Sequence, residues 1–262
     1  MDLAKLKTYL GKILSLKLAR KVPEIIALFW IIKLLTTALG ESVSDYLVHT
    51  INPVVAVLLG AAGLGISLLL EFRVRKYIAW VYWLTVVMVA IFGTMAADVV
   101  HIVLGVPYLI STIFFAVCLG IIFNIWYRVE HSLSIHTINN PGRELFYWAT
   151  VMTTFALGTA LGDMTAITLG WGYLSSGVLF IILFLSPLLA RKILRANETL
   201  TFWLAYIVTR PLGASFADWF GRTPDLGGLG YGTGLTSLVL TAMIIVLVGY
   251  LALTKIDIKG VD

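Results

Sequence analysis

The chain has 262 residues, 60% of them hydrophobic and 13% charged, with a mean hydropathy of +0.96 and a formal net charge of +5. A soluble domain carries roughly 45–50% apolar and about 25% charged residues, so that class is excluded. The apolar runs are continuous, which also excludes a transmembrane β-barrel of alternating segments of about ten residues; the fold class is an all-α polytopic transmembrane bundle.

Residues 1–22 carry Lys5, Lys7, Lys12, Lys17, Arg20 and Lys21, with Leu3, Leu6, Leu10, Ile13 and Leu14 at helical spacing. No compact apolar stretch ends in a small-residue cleavage site, so this is not a signal peptide. It reads as a cytoplasmic amphipathic segment drawn to anionic lipid, or as a solvated helix leading into the first span. Eight apolar stretches follow, at about 24–47, 53–70, 77–97, 107–125, 145–162, 173–190, 201–217 and 232–253. Each is near the ~17–25 residues a spanning helix needs. They pair into four repeats, 23–76, 77–144, 145–198 and 199–262, the last with the C-terminal tail. Cys118, the single cysteine, lies in the fourth stretch and reads as a small buried core residue. The loop 219–232 is glycine-rich, either a flexible outer lid or an ordinary connection.

The first helix of every repeat carries one ladder: Trp30–Gly40–Asp45, Trp83–Gly93–Asp98, Trp148–Gly158–Asp163 and Trp203–Gly213–Asp218. The residue before each Trp is aromatic: Phe29, Tyr82, Tyr147 and Phe202. A two-span unit returns to the side it left, so the four repeats are parallel and pseudo-symmetric about the membrane normal. Basic residues fall before the first span and after the even spans, with Arg222 alone on the other side, which places both termini in the cytoplasm. The paired aromatic–Trp, Gly and Asp pattern over about residues 22–254 resembles the bacterial multi-pass membrane proteins built of four tandem two-helix repeats, each with a characteristic Trp. That family has no assigned function. The resemblance implies the architecture and an inner-membrane location, and offers no substrate.

Ionisable groups inside hydrocarbon are costly and usually face a bundle interior. The candidates are Lys33, Glu41, Asp45, Asp98, Asp163, Arg210 and Asp218. In the first helix Lys33, Thr37, Glu41 and Asp45 recur at intervals of four, one stripe that should face a cavity or another helix. Small residues beside each aspartate favour the odd helices as an inner ring and the aliphatic even helices as a lipid-facing layer. The tryptophans fit an interfacial aromatic belt, or indoles packed inside the bundle against a neighbouring unit. The aspartates fit helix ends at the outer surface, although the helix dipole disfavours an acid there, or a shared ion-binding centre. Lys33 and Arg210, the latter beside Pro211, either neutralise the acids or act as mobile counter-charges. His49 and His101 follow Asp45 and Asp98 by about one turn, so Asp45, His49, Asp98 and His101 form a candidate metal set, weakened by the absence of such histidines from the third and fourth repeats. His131 and His136 fall in a cytoplasmic loop.

No phosphate-binding loop, zinc-protease motif or nucleophile–base pair is present, so no enzyme is expected. Glu41, Asp45, Asp98, Asp163 and Asp218 outnumber the bases among them, which points to secondary transport of a cation: a divalent metal such as manganese, or a proton-coupled small cation. The alternative is a non-transporting scaffold or sensor held together by its polar residues. Expected partners are the lipid bilayer and that cation or metal, with no nucleic acid and no cofactor beyond a transported or bound divalent ion; a homo-oligomer is left open.

Overall fold

The computed structural model describes residues 20–258, so nearly all of the segment 1–22, and the last four residues, lie outside them. Eight long helices make up the described chain: α1 (Ala27–Thr50), α2 (Pro53–Arg73), α3 (Ala79–Asp98), α4 (Tyr108–Glu130), α5 (Pro141–Asp163), α6 (Gly172–Leu194), α7 (Glu198–Gly221) and α8 (Thr233–Thr254). Local chemistry sets several of their ends. Asn52, Asn140 and Asn197 cap α2, α5 and α7 by accepting first-turn amides, and Pro53 and Pro141 occupy first-turn positions where a missing N–H costs nothing. His131, Arg195 and Lys255 stop α4, α6 and α8 in the left-handed region. Two helices run further than the hydropathy predicts: single π-turns, Val99–Val103 and Met164–Thr168, extend α3 and α5 directly after Asp98 and Asp163. α7 runs unbroken through Pro211.

Seven of the eight helices are long and apolar enough to cross a membrane. The exception, α7, is 24 residues long but carries Glu198, Arg210 and Asp218. Its low apolarity follows from its place. The odd helices form an inner ring in which α1 touches α3, α3 touches α5, α5 touches α7, and α7 touches α1. The even helices form the outer layer, with mostly exposed Val, Leu, Ile and Phe. Each packs chiefly on the inner helix of the following repeat: α2 on α3, α4 on α5, α6 on α7, and α8 back on α1. No two-helix unit buries its own apolar face, so the four repeats complete one another cyclically.

The chain's entry and exit are stitched together at one end. Lys21 N–H donates to the Ile138 carbonyl (3.1 Å), Tyr77 N–H to the Arg20 carbonyl (3.0 Å) and Glu24 N–H to the Asp257 carbonyl (2.9 Å). The buried Lys21 ammonium also pairs with Glu144 of α5.

Candidate functional site

The four ladders stack into layers along the pseudo-fourfold axis. The layer nearest the termini is aromatic. Phe29 packs on Trp83 with ring centres 5.6 Å apart, Tyr82 on Trp148 at 5.7 Å, Tyr147 on Trp203 at 6.2 Å, and Phe202 on Trp30 at 5.6 Å. The aromatic residue of each repeat thus meets the Trp of the next, and the fourth closes on the first. Trp83, Trp148 and Trp203 are buried and Trp30 half-buried, and Trp203 Nε1 donates to the Leu133 carbonyl at 2.9 Å. The indoles are packed inside the bundle, not spread as a belt.

Glycine makes the second closed cycle. A Cβ at Gly40 would strike Ala90, at Gly93 Phe155, at Gly158 Arg210 and at Gly213 Thr37. Each struck residue stands three before the ladder glycine of its own repeat. Absence of a side chain lets neighbouring inner helices touch backbone to side-chain root.

Between those levels the symmetry is broken by charge. One turn above the Trp level the four positions are Lys33, Val86, Val151 and Tyr206, all fully buried. The Lys33 ammonium lies 4.2 Å from the Phe155 ring centre and 4.1 Å from that of Tyr206, with no hydrogen-bond partner among the described residues. Cation–π attraction is strongest where water is excluded. A turn further, Arg210 projects onto the axis. Its guanidinium donates to Glu41 Oε2 (2.7 Å), to Thr159 Oγ1 (2.8 Å), to Thr94 Oγ1 and to the Thr37 carbonyl (3.3 Å). Glu41, Thr94 and Thr159 each follow the ladder glycine of their repeat, so one arginine from the fourth repeat binds the equivalent position of the other three.

The aspartates form the last layer, at the end opposite the termini. Fifteen residues from Trp to Asp correspond to roughly 22 Å of helix. Asp45 and Asp218 are buried, Asp98 and Asp163 half-buried. Arg222 reaches Asp45 Oδ2 at 2.7 Å and Asp218 Oδ1 at 3.0 Å, joining the first repeat to the fourth. Burial alone would disfavour the Arg222 charge; Asp218 and Asp45 outweigh it and hold the guanidinium protonated beyond its ordinary range. Asp98 and Asp163 have no basic partner at ion-pair distance among the described residues. Oxygens of Glu41, Asp45 and Asp218 lie within 4.8 Å of one another, a geometry open to a cation with oxygen ligands.

The histidines sit apart from this arrangement. His49 is exposed and its Nδ1 lies 2.7 Å from the Asp45 carbonyl, not the carboxylate. His101 is buried against Tyr108, ring centres 4.2 Å apart, and contacts the Val106 carbonyl and Ser111. Arg222 was legible only as the lone base of the far side. Its spacing of four from Asp218 was the available signal, whereas its bridge to Asp45 depends on the ring closing. Its loop is pinned: Gly230 N–H donates to the Arg222 carbonyl (2.8 Å) and Leu229 N–H to the Trp219 carbonyl (2.6 Å).

A family model described as Repeat of Unknown Function (DUF347) matches residues 28–77, 81–132, 146–196 and 201–257. The chain belongs to the DUF347 repeat family. Each DUF347 match opens two residues before a ladder Trp, so the four matched units coincide with the four steps of the aromatic and glycine cycles. No curated protein and no solved structure matches this DUF347 chain.

Proposed function

We propose that this protein is a secondary carrier for a small cation, a divalent metal such as manganese or a proton-coupled cation, and that the aspartate layer is its binding station. The observation that carries this reading is the convergence of Glu41, Asp45 and Asp218 within 4.8 Å, flanked by the half-buried Asp98 and Asp163. Hard cations favour such oxygen ligands. Arg222 occupies Asp45 and Asp218 and Arg210 occupies Glu41, so an incoming cation competes with two tethered guanidinium groups. In this reading the termini face the cytoplasm of a bacterium, supported by the basic residues gathered at their end of the bundle, and the station opens to the outside.

Uptake into proteoliposomes across a panel of divalent cations, with internal pH followed in parallel, is the test. Asp163→Asn removes a carboxylate that has no basic partner, so its effect on flux is not confounded by a released arginine. Uptake at low cation concentration is expected to fall about tenfold, the scale of one charge-assisted contact. Unaltered flux would defeat the acidic-station reading. Arg222→Gln is expected to act oppositely: with the competing guanidinium gone, half-saturation should drop by about tenfold. An unchanged or weaker half-saturation would remove Arg222 from the gating role.

A second reading, a non-transporting scaffold or sensor, is favoured by a different observation. Side chains fill the axis below the aspartates: Lys33, Val86, Val151, Tyr206, Phe155 and Arg210 are each at most 1% exposed. Under it, Asp163→Asn would lower thermal stability and leave no cation-specific flux to lose.

A further inference from the structure

At the end that carries the termini, a cavity of about 620 Å³ opens between three segments distant in sequence: Arg20–Glu24, the Lys76–Trp80 entry to α3, and the stretch from Leu251 to Ile258 at the exit of α8. It is amphipathic. Its polar wall holds Arg20, Lys76 and Lys255, and Ile78, Ala79 and Trp80 at the start of α3, which no side chain caps, also line it, where a helix N-terminus favours an anion. Its apolar wall holds Leu251, Ala252, Ile78 and Trp80, the last two 40% and 46% exposed. The two acids in the lining are engaged: Glu24 by Arg20, and Asp257 by the Tyr77 hydroxyl at 2.5 Å. Burial also shifts Asp257 toward its neutral form, which weakens its repulsion of an anion. An inorganic anion would use only the polar wall. A ligand with a phosphate at one end and a hydrocarbon chain at the other would use both, and Trp at the bilayer boundary is a common anchor.

We infer that this cavity is a binding site for an anionic phospholipid, its phosphate held by Lys76, Lys255 and the first-turn amides of α3, and its acyl chain laid along Trp80. The site lies at the opposite end from the aspartates and stands independently of the transport reading.

The test is titration of the purified full-length protein in detergent with phosphatidylglycerol or phosphatidylcholine, followed by native mass spectrometry. Phosphatidylglycerol is expected to bind in preference to phosphatidylcholine. Lys76→Gln with Lys255→Gln is expected to weaken it roughly 30-fold, since each lysine near an anionic lipid surface contributes about five- to six-fold and the two factors multiply. Lys192→Gln with Arg195→Gln removes the same charge from an exposed site at the end of α6 and should leave binding as in the wild type. An equal loss in this control would overturn the assignment in favour of diffuse surface attraction. Equal binding of the zwitterionic lipid would overturn the charge recognition. Displacement of phosphatidylglycerol by millimolar inorganic phosphate alone would overturn the lipid in favour of a soluble anion.

Discussion

Arg210→Met is expected to lower unfolding stability in detergent by about 3–5 kcal/mol, the cost of leaving a buried charge without its partner. Arg210 and Glu41 are 1% and 3% exposed, and their 2.7 Å contact lies on the axis with Thr94, Thr159 and Thr37 around it. Loss of the guanidinium leaves the buried Glu41 carboxylate without its basic partner. The two threonine hydroxyls keep their own bonds, to the Ala90 and Phe155 carbonyls, so the damage concentrates on Glu41. The double variant Arg210→Met with Glu41→Gln removes both charges and should recover most of the loss, because a buried ion pair stabilises little over a neutral, well-packed replacement. Chemical unfolding of the four proteins of this cycle measures the coupling. A single variant within about 1 kcal/mol of wild type would mean the guanidinium is hydrated, and the axis is not the dry column its burial indicates.

Gly40→Val should be comparably severe. A Cβ at Gly40 would come within 2.7 Å of the Ala90 carbonyl carbon and 3.0 Å of its Cα, both backbone atoms that no rotamer change can move. Overpacking a core typically costs 1–3 kcal/mol, and here relief requires α3 to shift within a ring closed on all sides, so a loss of about 3 kcal/mol or more, with a collapse in folded yield, is expected. Gly158→Val should be similarly severe, since a Cβ there meets Arg210 Cγ and Cβ, the root of a side chain held by its guanidinium bonds, with Pro211 Cδ behind at 2.9 Å. Gly120→Ala serves as the opposite case. Nothing lies within 4 Å of a Cβ there, so the substitution should be neutral or stabilise α4 by up to ~1 kcal/mol. Size-exclusion profiles and unfolding midpoints of the three variants test the order. Equal tolerance of Gly40→Val and Gly120→Ala would refute the close approach of α1 and α3.

The ladder and the charge stripe were legible residue by residue. Lys33, Thr37, Glu41 and Asp45 lie at intervals of four, and a helix presents such positions on one side whatever surrounds it. The same interval in the other repeats yields Val86–Ala90–Thr94–Asp98 and Tyr206–Arg210–Ala214–Asp218, the layers that meet on the axis. What could not be read is how the repeats share those layers. Identical spacing in four units carries no information on which glycine faces which neighbour, so the Gly40–Ala90 contact and the Phe29–Trp83 packing were invisible. The two readings of the tryptophans were equally compatible with sequence, because a boundary anchor and a buried ring need the same residue at the same height. Only the closed cycle of rings chose between them.

By itself, the sequence determined the bilayer as solvent, eight helices in four parallel repeats, and an inner face lined by charge. Those features are local: hydropathy and helical period act within one segment, and an uncompensated charge cannot face hydrocarbon. Tertiary structure alone decided that Arg210 would bind three foreign repeats at once, that Lys33 would rest between Phe155 and Tyr206, and that Arg222 would bridge Asp45 to Asp218. Apart from Arg210–Thr159, 51 positions apart, and the one-turn step from Asp218 to Arg222, each of these joins residues more than a hundred positions apart. Their partners are selected by ring closure, a property of the whole assembly that no single helix encodes.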